Sequence, residues 1–159
     1  MLLRAFTSAT VLLTLAACNS GDRAPAPGAP MVLVSDALCR PTPRGRQTTG
    51  CYITLTASAA DRLVSVESPD ANIVQIHESR MESNMMMMQQ MRDGLPLAAG
   101  QATALAPGGT HLMLLGVKEP LAVGDTVTLK LTFATAAPVE VTATVAQPVA
   151  SEYGEATAH

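Results

Sequence analysis

Two histidines and a group of methionines carry most of the chemistry open to this sequence. His77 is followed by Met81 and the uninterrupted run Met85 to Met88, while His111 has Met113 two positions on. In a strand, residues i and i+2 project from the same face, so His111 and Met113 can converge on one atom without bending the backbone. By the same alternation His77 shares a face with Ile73 and Gln75, opposite Val74 and Ile76, and can point away from a core. Imidazole nitrogen with thioether sulfur is a neutral, soft donor set, and soft donors select Cu(I) over Mg, Ca or Mn. Zinc suits it poorly, because structural zinc sites use Cys or His and catalytic ones His with carboxylate.

Methionine also serves as a flexible core filler. The stretch ESRMESNMMMMQQMRDG is otherwise polar, however, so its methionines lack the apolar neighbours of a core element. Exposed thioethers in an oxidising compartment are open to sulfoxidation, a cost explained if the sulfur is used.

The elements that must hold these residues read as strands. Thr126 to Phe133 alternates fully, with Val127, Leu129, Leu131 and Phe133 on one face. Val139, Val141, Ala143 and Val145 alternate likewise, and Ala136-Ala137-Pro138 suits a hairpin between the two. Earlier strands are expected over Met31 to Asp36, Tyr52 to Ala57, Leu63 to Glu67 and Ile73 to Ser79, with a short one over His111 to Leu115. Turn residues punctuate them at Pro41 to Gly50, Ser68-Pro69-Asp70, Asp93-Gly94, Gly100, Pro107-Gly108-Gly109 and Gly124-Asp125. No stretch has a helical period with caps, so the folded part, residues 31–146, is expected to be an all-β antiparallel sandwich or barrel.

Outside that core the chain reads as address and spacer. Residues 1–17 have the form of a secretory signal: Arg4, an apolar stretch through Val11, Leu12, Leu13 and Leu15, then Ala16 and Ala17. Leu15-Ala16-Ala17-Cys18 resembles the bacterial lipobox, which makes Cys18 the lipidated first residue of the mature chain. Asn19 in place of Asp at the next position favours anchoring to the outer membrane, facing the periplasm. Residues 18–30 are then a Pro-rich tether reaching roughly 35 Å at about 3 Å per residue. Residues 147–159, with His159 at their end, read as a flexible tail. Export leaves Cys39 and Cys51 to pair with each other. Their loop is worth about 3 kcal/mol by the chain-entropy estimate.

Composition removes several classes of function. The 159 residues are 48% hydrophobic and 14% charged with a net charge of −3, which suits a single domain. Ten basic residues against thirteen acidic, with two Phe, two Tyr and no Trp, give neither the cationic footprint nor the stacking surface of a nucleic-acid binder. A blue-copper carrier needs a thiolate, and no Cys follows Cys51. No G-x-S-x-G occurs, and His77-Glu78-Ser79-Arg80-Met81 departs from H-E-x-x-H at its last position. No enzyme is expected.

The segment from His77 to Met113, with Asp93-Gly94-Leu95, the run Ala106 to Met113 and Gly124-Asp125-Thr126-Val127-Thr128-Leu129, resembles the PCu(A)C-type periplasmic copper chaperones. Their motif is His, ten residues, Met, twenty-one residues, His-x-Met. The resemblance runs from about Val32 to Val145 and implies a cupredoxin-like, immunoglobulin-like β-sandwich binding one Cu(I) ion for respiratory oxidase assembly. Carried over by position, the ligands are His77, Met88, His111 and Met113. Twenty-two residues separate Met88 from His111 here, so an extra residue lies in the Met-rich loop and Met86 and Met87 are substitutes for Met88. The implied partner is a copper acceptor, an oxidase subunit or another copper chaperone, for a protein that is monomeric and touches the membrane only through its lipid. The competing reading is a metal-free envelope lipoprotein that binds another protein through its Met-rich loop.

Overall fold

The computed structural model describes residues 28–148. The signal segment, Cys18, most of the tether and all but the start of the tail lie outside the described residues. Ten strands form, and no helix occurs among the described residues: β1 (Val32–Cys39), β2 (Thr48–Ala57), β3 (Asp61–Glu67), β4 (Ala71–Glu82), β5 (Met85–Gln90), β6 (Leu95–Leu97), β7 (Ala102–Leu105), β8 (Thr110–Val117), β9 (Thr126–Phe133) and β10 (Val139–Val145).

They join in one hydrogen-bonded path, β5-β4-β8-β2-β1-β10-β9-β3-β6, with β7 paired to β2 beside it. The path turns over at β1, so that β3 packs across β4 and β6 against β2. β1 makes this corner because its register on β2 shifts between Ser35 and Leu38, where Asp36 adopts a φ of 53°. The result is the cupredoxin-like sandwich. Ile53, Leu55, Leu112 and Leu114 of one layer meet Leu63, Val127, Leu129 and Leu131 of the other, all essentially sealed from water.

The alternation in β9 is realised fully, with Val127, Leu129, Leu131 and Phe133 buried. Its hairpin with β10 forms as expected, pairing Val139 with Leu131 through Thr144 with Thr126. The Asp61 carboxylate closes that hairpin's turn by accepting the backbone N–H groups of Thr135 and Ala136. One strand pair departs from the expected antiparallel sheet: Leu38 and Cys39 run parallel to Thr144 and Val145, and an isolated bridge between Ala57 and Ala99 is also parallel. A strand in the corner must serve both layers, and its direction is set by its long partner β2.

Cys39 and Cys51 are cross-strand partners on β1 and β2 and form the disulfide, fully buried with 4.0 Å between their Cα atoms. Three strands lie outside the sequence expectation: β5, β6 and β7. The Met-rich segment, read as a loop, is itself strand β5. Its six residues are all exposed, so the inside-outside alternation that betrays a strand is missing.

Candidate metal centre

Two tight turns bring the candidate residues to one face. The first joins β4 to β5 through Ser83 and Asn84, with φ values of 49° and 63°. Two successive left-handed residues form the type I′ hairpin turn whose twist matches the strands it connects. It fixes the register: Glu82 faces Met85, Met81 faces Met86, Arg80 faces Met87, Ser79 faces Met88 and His77 faces Gln90. The second is Ala106-Pro107-Gly108-Gly109, closed by the Gly109 N–H donating to the Ala106 carbonyl at 3.1 Å. Proline sits at its second position and Gly108, with φ of 80°, at its third, as a type II turn requires.

β4 and β8 pair so that His77 stands directly opposite His111 and Gln75 opposite Met113. The imidazole rings meet edge to face with centroids 5.8 Å apart. Each ring is tethered through one nitrogen. His111 Nδ1–H donates to the Gly109 carbonyl at 3.0 Å, a carbonyl that also accepts the Ser79 N–H, and this leaves Nε2 with the lone pair. His77 Nε2–H donates to Gln75 Oε1 at 2.8 Å, leaving the Nδ1 lone pair buried and without a partner. Histidines that hold metals are oriented in this way, the second nitrogen giving its proton to an oxygen. Burial, and secondarily the adjoining His111, push the His77 pKa below the ordinary imidazole value, so the ring keeps its neutral, donating form.

Alternation sorts the methionines. Met113, two residues from His111 and opposite Gln75, shares the histidine face. So do Met88, Met86 and Met81, whereas Met85 and Met87 belong to the opposite face with Arg80 and Glu82. Of the two substitutes for Met88, Met86 thus lies on the histidine face and Met87 on the other. Met91, half-buried, packs against the core.

The four positions are not equivalent. Ideal sheet spacing puts the Met113 Cα about 7 Å from the centre of the histidine pair and that of Met88 roughly 10 Å away, on the edge strand. Met113 thus stands nearer the histidine pair than Met88 does. Among the described residues no three His, Cys, Asp or Glu side chains converge, so an ion here must draw on the thioethers. Both cysteines of the fold are bonded to each other, and no thiolate is at hand.

A family model described as "Putative lipoprotein LpqE-like" matches residues 32–145, the whole run of strands. The chain belongs to the LpqE-like family. A relative from Leifsonia xyli subsp. xyli, "Putative lipoprotein Lxx21020", is 33% identical over 136 residues, covering 83% of this chain and 82% of its own. Among solved structures, the copper-bound PCuAC domain from PmoF2 superposes with a TM-score of 0.60 at 25% identity, over 74% of this LpqE-like chain and 93% of that domain. The apo form of DR1885 from Deinococcus radiodurans gives 0.58 at 28%, over 94% and 97%, and its CuI form 0.58 at 29%, over 71% and 76%. The fold is thus that of the PCuAC domains, as the resemblance in sequence implied.

Two parts of the site escaped the sequence reading: Gln75 as the tether of His77 and the Gly109 carbonyl as the tether of His111. Gln75 carried a legible signal, since it stands two residues before His77 on the same face. The carbonyl carried none, because any residue supplies one.

Proposed function

We propose that this LpqE-like protein is a Cu(I) carrier of the cell envelope, not an enzyme, which binds one ion at His77, His111, Met113 and Met88 and releases it by ligand exchange. The observation that carries the reading is the cross-strand histidine pair: each ring is held through one nitrogen and has the other uncommitted. Neutral, soft donors beside it match a soft monovalent ion. The copper-bound PCuAC domain and the CuI form of DR1885, which share the fold, support the same reading.

All-neutral ligation leaves the ion's charge uncompensated and the ion willing to leave. Met88, the outlying donor on an exposed edge strand, detaches first as an acceptor's ligand attaches. His77, His111 and Met113 keep hold until a second acceptor ligand arrives. No bond to carbon changes and no electron moves. The acceptor is another copper-binding protein, an oxidase subunit or a second chaperone, reached from a lipid anchor at Cys18 in the periplasm on the outer membrane. The likeness to the Leifsonia lipoprotein supports the anchor. The carrier works as a monomer.

X-ray absorption on the reduced, copper-loaded protein tests the ligand set. Two nitrogen and two sulfur neighbours are expected. A shell of oxygen, or no copper retained beside a coloured Cu(I) chelator, would return the protein to the metal-free binding module.

A further inference from the structure

The hairpin between β4 and β5 carries more sulfur than the centre described above uses. Only one methionine of the run Met85 to Met88 has sulfur across from it: Met86 faces Met81, whereas Met85, Met87 and Met88 face Glu82, Arg80 and Ser79. Directly opposed strand residues have Cβ atoms about 5 Å apart, and the diagonal neighbour lies about 7 to 8 Å away. Met88 is that diagonal neighbour of Met81, on the same face. Met81, Met86 and Met88 are 64%, 56% and 53% exposed, and apart from Met85 and Met87, which belong to the other face, the strand neighbours around them are Ser79, Arg80, Glu82, Gln89 and Gln90. Unbranched methionine gives an edge strand no packing or propensity advantage over valine or threonine, and exposed sulfur in an exported protein is open to oxidation.

We propose that Met81 and Met86, with Met88, form a second, weaker Cu(I) site at the hairpin tip, through which copper enters and leaves the histidine centre. This rests on the reading of that centre as the tight site. Three thioethers without an imidazole offer a soft, neutral, open set, suited to catching Cu(I) and too weak to keep it. Met88 belongs to both sites. An ion on Met81, Met86 and Met88 moves inward by exchanging the first two sulfurs for the nitrogens of His77 and His111 while Met88 holds on, and moves outward by the reverse. Sulfur is thereby placed where an acceptor's ligand can approach, two to four residue pairs up the ladder from His77.

Titration of the purified protein with Ag(I), a redox-inert stand-in for Cu(I), tests this by the methyl NMR signals of the methionines. The first equivalent is expected to shift Met113 and Met88, and a second, at least tenfold weaker, to shift Met81 and Met86. Met81→Leu should remove the second equivalent, leave the first unchanged, and slow Cu(I) handover to a chelator several-fold. Met88→Leu should weaken both. A wild-type protein that binds one Ag(I) only, or a second equivalent that survives both Met81→Leu and Met86→Leu, overturns the tip site. The histidine centre fails separately, when His111→Ala leaves the first equivalent untouched.

Discussion

Replacing Gln75 with leucine isolates the part of the centre that touches no metal. Gln75 Oε1 is the sole hydrogen-bond partner of the His77 ring, 2.8 Å from Nε2, and Nδ1 has none. Leucine keeps the bulk and removes the acceptor, so the ring loses both its orientation and the bond that selects the Nδ1 lone pair. Loss of such an outer partner typically lowers metal affinity 10- to 100-fold, or about 1.4 to 2.8 kcal/mol at 1.4 kcal/mol per decade. Competition for Cu(I) against a chromophoric chelator at pH 7.5 reads that difference directly. Imidazole nitrogen shifts of the apoprotein should show His77 passing from one tautomer to a mixture while His111, tied to the Gly109 carbonyl, stays as it was. Gln75→Glu retains an acceptor and should hold affinity within a few-fold of wild type. If Gln75→Leu binds Cu(I) as tightly as wild type while His111→Ala does not, His77 is not oriented by this bond and the account of the centre is wrong.

The remaining predictions concern ligand rank, pH and the disulfide. His111→Ala and Met113→Ala should lower Cu(I) affinity most, Met88→Ala less because its donor is the distant one, and Met87→Ala not at all because its side chain belongs to the other face; a silent Met88→Ala beside a damaging Met86→Ala, by chelator competition, would move the fourth ligand two pairs up the hairpin. Because the His77 pKa lies below the ordinary imidazole value of 6.5, the unfolded chain takes up the proton first, so apoprotein stability should be level above about pH 7 and fall as pH drops through 6.5. Urea melts at pH 7.5 and 5.5 measure this, and His77→Gln should flatten the slope in that interval. Asp61 acts in a lower window: its slight burial raises its pKa, but backbone N–H groups of Ala136, Arg62, Thr135 and Ala134 outweigh that and lower it, so its contribution is lost only as pH falls below about 3.8. Removing the disulfide by Cys39→Ala with Cys51→Ala should cost about 3 kcal/mol in denaturant unfolding while copper stoichiometry stays at its wild-type value, since neither sulfur belongs to the centre; loss of copper together with stability would show that β2 must be stapled to hold β8.

The sequence alone determined the class of fold and singled out the candidate residues, because strand alternation is a local property. Val127 to Phe133 and Val139 to Val145 announce their buried faces, and His111 with Met113 announces a shared one, before any partner strand is known. The disulfide followed from a count of cysteines and the expectation of export. Register was out of reach, since it depends on turn geometry and on which strands become neighbours. Only the folded chain sets His77 against His111, by pairing β4 with β8, and only it opposes Met81 and Met86 and turns Met87 away, consequences of a two-residue turn whose Ser83 and Asn84 do not advertise it as Asn-Gly would. Strand β5 stayed hidden for a related reason: at the edge of the sheet with both faces in water, it has no buried side to impose a period on its sequence.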